Sequence, residues 1–600
     1  MKKNDWIYLA SVLVYTQLFY RQIEGLNFLL MNVVLLGGIV WKERSVLRSR
    51  NWWFAVTGAL VSATSVMIYG DAFSVWANFF SLLLVSSYSV KPGSSIIIAQ
   101  LNAFCNMMIA GAWMIVDGLK RLQRRAPKEG GNGWKKFLIV LIALVVVLIF
   151  FFLYRSSNVL FDQLAQKINL DFISIPWVIF TLVGAWVLYA FYYPHPLPKV
   201  DEWENALPLD LKSSEELSWF DKLMSLPSER FSGLVLLSLL NALLLVVNGL
   251  DALFLFGGGK LPQGVTYTEY VHQGVGALIT SIVFAMAIIL FYFRGRLNFD
   301  EKSGTLRFLA YCWIVQNAFM LFSTACRNNL YVGEYGLTYK RIGVYIYLLL
   351  TLIGLATTAW KVMQKKTNVF LFRSNAWLFY AVMILGSTMN FDRMIAEFNT
   401  KPGVKADVDY LQELSFRAYP AQANYYAAKP GVFPQKLRNN IFVFVCRNRY
   451  ILDTHRWPSV VITANRTAGE LSRFNSFGNS QSVYAMDCPI HSVAYIPGFA
   501  NTTLFNLNHT QLESLGGIGR YKAVTTLLIS DNNELHSLDG IEGLQNLERL
   551  VMTNTSVTDY SPLLKLPHLK QLTTDSISNE WRAKLLQQFP SLELTFTSIR

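Results

Sequence analysis

Five polar side chains fall where lipid would be expected, and they are the first residues with chemistry to offer. Asn241 stands eleven residues past Arg230, roughly 16 Å along a helix and so near the middle of a bilayer. Asn248 follows seven residues later on the same helical face, and Asp251 lies near the outer end of that run. Gln316 and Asn317 sit at similar depth on another apolar run. An intramembrane carboxylate is costly and marks a function by default, such as a substrate path. Buried amides also serve as hydrogen bonds between spans, and that structural use is the expectation for the Asn and Gln residues. A second grouping is the segment 326–343, CRNNLYVGEYGLTYKRIG, read as an outer loop. Arg327, Glu334, Tyr335, Lys340 and Arg341 would there either bind a ligand or form an ion-pair network, and the network is the expected use.

Nothing else points to a reaction. Asp453, His455 and Ser459 are close in sequence, but a triad is defined by geometry and no nucleophile-elbow pattern accompanies them. No CxxC or His/Cys cluster has metal-ligand spacing, so neither a metal nor a cofactor is expected. Cys446 and Cys488 could pair in an oxidising compartment or stand as two buried thiols, and the sequence leaves both open.

The elements that must position these residues are membrane spans. Hydrophobic residues make up 53% of the chain and charged residues 15%, against roughly 25% charged in soluble domains. The net charge of +14 sits largely in short loops between apolar runs, where it orients spans rather than binding nucleic acid. Candidate spans are 6–20, 26–41, 52–70, 71–90, 137–154, 175–194, 231–256, 276–293, 305–325, 344–362 and 369–390, a membrane all-α bundle of about eleven helices. The N-terminus does not read as a cleaved leader. Segment 95–119 is apolar but carries Gln100, Asn102, Asn106 and Asp117. If it crosses, the Lys and Arg asymmetry collapses; if it lies at the inner face or re-enters and the N-terminus is inside, Lys and Arg gather strongly on the inner side, and the outer loops hold only Arg21, Arg155, Lys167, Lys260, Arg327, Lys340 and Arg341, which is the favoured arrangement. This places the chain in an inner membrane with its C-terminal region extracytoplasmic. Segment 155–174 reads as a helix lying on the membrane surface or on the bundle.

Three regions follow: a polytopic membrane domain over 1–390, a mixed α/β linker domain over 391–500 and a repeat domain over 501–600. In the linker, 393–399, 409–417 and 457–474 read as helical, and Ile441–Val445 as a buried strand. The tail matches the leucine-rich pattern L-x-x-L-x-L-x-x-N/T-x-L at Leu547, Leu550, Met552, Thr555 and Val557, and copies recur every 22–23 residues. Four copies are expected to stack as a short solenoid, with Asn532 or Asn533 and Thr555 turned inward, a helix over 581–589 and a last strand over 592–596. Asn506, Leu528, Ser530, Val551 and Thr553 are the candidate binding face, suited to a protein or glycan in the envelope.

Several short motifs carry a resemblance. Arg230-Phe231 heading a span with Leu240-Asn241, the pair Gln316-Asn317, Arg327-Asn328, and Tyr335-Gly336-Leu337-Thr338 followed by Arg341 resemble an uncharacterised family of bacterial membrane proteins, the domains of unknown function 4153 and 4173. Asp407-Val408-Asp409-Tyr410-Leu411 with Leu414-Ser415 resembles that family's stretch after its last span. The resemblance covers roughly residues 130–420. It implies a bacterial envelope protein and supplies no activity. The leucine-rich tail departs from the usual family pattern. Two function classes therefore remain: a non-enzymatic scaffold or sensor with an external recognition domain, and a transporter or lipid-handling protein using the mid-span polar residues.

Overall fold

Long apolar runs without internal proline can satisfy their backbone in lipid only as helices. The computed structural model describes residues 3–125, 175–195, 197–212, 224–257, 267–405, 407–428, 434–453, 457–471, 482–485, 490–496 and 501–597, with isolated helical positions between 143 and 157. The expected span 137–154 and the surface helix 155–174 fall outside the described residues apart from those positions, as do Cys488 and His455.

The described chain divides into two compact units, residues 1–209 with 372–388, and residues 210–371 with 389–600. The first contains α1 (Lys3–Phe19), α2 (Leu26–Lys42), α3 (Arg50–Tyr69), α4 (Ala72–Val90), α5 (Ile96–Arg125), α6 (Ile175–Tyr192) and α7 (Pro198–Ala206). The later helix α12 (Asn368–Ser387) joins it from Phe372 onward. The second contains α8 (Leu226–Phe256), α9 (Tyr267–Tyr292), α10 (Gly304–Tyr335), α11 (Tyr339–Met363), α13 (Phe391–Asn399), α14 (Val408–Glu413), α15 (Tyr419–Ala427), α16 (Gln435–Asp453), α17 (Ile462–Leu471) and α18 (Asn579–Gln588).

Among the described residues, seven helices are long and apolar enough to cross a membrane: Arg50–Tyr69, Ala72–Val90, Ile96–Gly118, Leu226–Phe256, Glu301–Tyr335, Tyr339–Met363 and Asn368–Ser387. Leu26–Lys42, Pro176–Tyr192 and Thr280–Tyr292 are shorter apolar helices. Ile96–Gly118, left out of the span count on charge bias, belongs to the long set, and Gln100, Asn106 and Asp117 have internal partners, while Asn102 Oδ1 is buried without one among the described residues. Gln100 donates to the Phe80 carbonyl at 2.8 Å. Asn106 exchanges two hydrogen bonds with the His195 backbone at 2.7 and 2.9 Å. Asp117 accepts from the Tyr189 hydroxyl at 2.7 Å. Polar groups bonded inside the protein no longer require water, so the helix is more apolar outward than its composition suggests.

Small residues let α3 and α4 pack closely: Ala55, Ala59, Ser62, Ala63, Ala77 and Ser81 are all buried. At the same place Asn78 donates to the Ala59 carbonyl at 2.8 Å and bonds Asn32 of α2.

The second unit ends in a parallel sheet, ordered β1 (Ser482–Tyr484), β2 (Leu504–Asn506), β3 (Thr526–Leu528), β4 (Arg549–Met552), β5 (Gln571–Thr574) and β6 (Glu593–Phe596), each strand beside the next in sequence. Register aligns Val483, Phe505, Leu527, Leu550, Leu572 and Leu594, so the repeat is 22 or 23 residues throughout. The sheet thus has six strands. The final helix and strand lie where the sequence predicts them. His509, Asp531 and Asn554 take the left-handed backbone at φ of 55°, 58° and 55° in successive turns, a conformation that short polar residues tolerate best.

Asn532 is fully buried in this stack. Its Oδ1 accepts from the Thr510 amide, the Thr510 hydroxyl and the Leu512 amide at 3.1, 3.0 and 2.9 Å. Its Nδ2 donates to the carbonyls of Leu507, Ile529 and Ser530. The sheet core draws residues from both sides of position 500, including Phe442 and Cys446.

Those two side chains correct one expectation. Ile441–Val445 is helical, the middle of α16. Leu437, Ile441 and Val445 face one core with Tyr419, Ala423 and Leu471, while Phe442 and Cys446 enter the sheet core. A helix buried on two faces reads locally as an unbroken apolar strand.

Candidate functional site

Of the mid-span polar residues, four line one seam between α8 and α10. Asn241 donates to the carbonyls of Leu237, on its own helix, and Leu309, across the seam, at 2.7 and 3.0 Å. Gln316 donates to Asn241 Oδ1 at 2.8 Å. One helical stage on, Asn248 donates to the Gln316 carbonyl at 2.9 Å. Asp251 ends the ladder, accepting from the Ser323 hydroxyl at 2.7 Å and from the Arg327 guanidinium. Asp251 and Arg327 are only 6% and 7% exposed, so each charge depends on the other to remain buried. Asn317 does not join the seam but bonds the Trp313 carbonyl of its own helix at 2.7 Å. Asn248 Oδ1 and Gln316 Oε1 are buried without a partner among the described residues.

The expected outer loop 326–343 is mostly helix. α10 runs for 32 residues, roughly 48 Å, and exceeds the roughly 30 Å of a bilayer core, so it extends through what reads as loop. Only Gly336, Leu337 and Thr338 separate it from α11. Among the described residues the charges have separate partners rather than one shared network. Arg327 pairs with Asp251. Glu334 pairs with Lys405. Arg341 donates to the carbonyls of Tyr335, at 2.7 Å, and Gly336, closing the C-terminal end of α10 where cations are favoured. Lys340 is exposed.

This turn explains the Tyr-Gly-Leu-Thr motif physically. Gly336 has φ +77°, and a Cβ there would meet Asn399 Oδ1 at 2.6 Å. Thr338 caps α11 by accepting from the Arg341 amide. Asn399 of α13 brackets Leu337, accepting from its amide and donating to its carbonyl. Tyr410 of α14 accepts from the Tyr339 amide at 2.9 Å. Asp392 gathers the rest: Tyr339 donates to it at 2.7 Å, Arg417 at 2.6 Å, and the Ser415 hydroxyl also donates. Burial alone would raise the Asp392 carboxyl, but these hydrogen bonds and the Arg417 charge outweigh it and hold the carboxyl below the ordinary carboxylate range. Val332, Leu337, Ile342, Ile395, Leu411 and Ala418 form the apolar floor of this clasp.

Sequence reasoning missed Ser323, Asp392, Asn399 and Arg417. Tyr410 and Ser415 were visible only as part of a motif, with no role.

On the sheet, Asn506, Leu528 and Val551 share one row across β2, β3 and β4. Asn506 and Ser530 are buried and engaged within the protein. The Asn506 side chain accepts from the Asn508 amide at 3.1 Å. Ser530 accepts from the Thr553 amide and hydroxyl at 3.1 and 2.9 Å. Leu528, Val551 and Thr553 are half-exposed and remain the accessible part of that surface.

No curated protein and no solved structure matches the chain. The family profile described as Domain of unknown function (DUF4153) matches residues 29–425 of the 600, which takes in the seam, the clasp and the first unit from Leu29, within α2, onward. With that share of its length matched, the chain belongs to the DUF4153 family, whose function is unknown.

Proposed function

We propose that the protein is a non-enzymatic membrane scaffold or sensor whose sheet is a leucine-rich-repeat solenoid that recognises a protein or glycan of the cell envelope. The recurrence of strand and left-handed turn every 22 or 23 residues, with Thr510 and Asn532 buried in successive turns and Thr555 half-exposed in the next, supports the repeat reading. The observation that carries the function is the continuity of cores in the second unit. The clasp core contains Ala418, the next core begins at Tyr419, and α16 belongs both to that core and to the sheet core. A ligand on the strand face would therefore load the end of the α10–α11 hairpin through packed side chains. The Lys and Arg distribution supports an extracytoplasmic sheet in an inner membrane on the condition that Ile96–Gly118, though long and apolar enough to cross, does not do so.

The test joins topology to capture. Reporter fusions after Asn399 and Arg600 should both signal outside the cytoplasm. A photo-crosslinker at Val551 should capture an envelope protein or glycan, and Leu528→Arg with Val551→Arg should abolish capture. Cytoplasmic signal at both fusions, or capture indifferent to the arginines, would sink the proposal.

A second reading, transport along the seam, is favoured by the two buried amide oxygens of Asn248 and Gln316 that have no partner among the described residues. Gln316→Leu should then remove a transport phenotype while leaving capture intact.

A further inference from the structure

His491, Glu513 and Glu534 come from three successive turns of the sheet region, and the sequence shows no metal spacing in them because they stand 22 and 21 residues apart (513 − 491 and 534 − 513). Folding brings their ligand atoms within 4.8 Å of one another. His491 Nδ1 lies 2.6 Å from Glu513 Oε1.

The backbone under each ligand is fixed by the stack. The Glu513 and Ser514 amides both donate to the His491 carbonyl, at 2.9 and 3.1 Å. Ser492 and Ser514 form a parallel bridge beside them. Glu513 follows the fully buried Leu512, and Glu534 precedes the fully buried Leu535. The three side chains therefore project together, with the His491 ring hydrogen-bonded to Glu513, and a cation among them would offset the repulsion between the two carboxylates.

We infer that His491, Glu513 and Glu534 form a binding site for a first-row divalent cation, with Zn²⁺ the best fit, that staples three turns of the sheet region. One imidazole nitrogen with two carboxylate oxygens suits Zn²⁺ and its neighbours, whereas Ca²⁺ and Mg²⁺ take oxygen ligands. The His491 and Glu513 side chains are 28% and 53% exposed, so an ion can enter from solvent and keep a water in its open position. The imidazole separates this set from an ordinary patch of surface acids. The site is independent of the recognition reading, because a staple can form whether or not the strand face binds a partner.

The experiment uses the full chain in lipid nanodiscs, stripped with a chelator and titrated with ZnCl₂ against a chromophoric chelator, with unfolding temperature as a second readout. One Zn²⁺ per chain should bind and raise the unfolding temperature. His491→Ala, and separately Glu513→Gln with Glu534→Gln, should each weaken binding by roughly tenfold or more. Ca²⁺ at equal concentration should not compete. His509→Ala, in the turn after β2 but paired with Asp531 rather than with this set, should leave binding unchanged. The glutamine pair changes little in shape at exposed positions, so it remains informative if the histidine variant misfolds. Absence of saturable Zn²⁺ binding in the wild-type chain, or binding equal in all variants, would overturn the inference.

Discussion

Asn532 in the strand stack and Asn248 in the α8–α10 seam are the same side chain in two apolar surroundings. Asn532 uses its whole bonding capacity, with Oδ1 accepting from two amides and a hydroxyl and Nδ2 donating to three carbonyls. Asn248 makes one bond across the seam and leaves its oxygen unused among the described residues. A fully engaged amide ties neighbouring turns together and specifies their spacing. A half-engaged amide keeps spare capacity, and with it tolerance of change. The seam's charged element is the pair Asp251–Arg327, at the end where α10 approaches the clasp.

The largest effect should come from breaking that pair. Arg327→Leu leaves Asp251 buried without its counter-charge, and thermal unfolding in detergent should show a loss of about 3–5 kcal/mol. Asp251→Leu with Arg327→Leu should lose much less, because no uncompensated charge remains. If the double variant is as damaged as the single, the pair is not the source of the cost.

Asn532→Ala comes next. It strands several buried donors and acceptors and should cost about 2–3 kcal/mol, visible as early loss of protection in hydrogen exchange across β2 to β4. Asn248→Leu should fall below about 1 kcal/mol, in keeping with the modest worth of single interhelical hydrogen bonds. Equal costs at 532 and 248 would erase the distinction between the two regions.

The clasp supplies a smaller, pH-dependent contrast. Asp392 is held below its unfolded value, so its contribution is present above roughly pH 4 and fades as pH falls through the lowered folded value. Between pH 6 and pH 3 the wild-type chain should lose more stability than Asp392→Asn, measured by denaturant midpoint. Parallel slopes for the two chains would show that the clasp does not titrate.

Much of this was legible before folding. Depth along the span put Gln316 and Asn317 level with Asn241, of which only Gln316 meets it, and the 22–23-residue period predicted an inward Asn532 or Asn533, of which Asn532 is the one buried, with the last helix and strand. The clasp was not legible, because Asp392 and Arg417 lie 25 residues apart with no helical period to join them. The outer charge cluster misled because sequence proximity was read as pairing, when Arg327 and Arg341 sit on different helices and serve different partners. The apolar run in α16 looked like a strand because its two buried faces belong to two cores. The set His491, Glu513 and Glu534 was hidden for a related reason: a coil converts a separation of some twenty residues into adjacency.

Helix α16 also decides where this molecule can be cut and rejoined. A graft that moves the strand stack to another anchor must carry α16, since Phe442 and Cys446 belong to the core of the stack. A cut at residue 500 would open an apolar hole at the first turn. It would also remove β1 and leave β2 as a bare edge, with unpaired backbone groups ready to recruit a second copy.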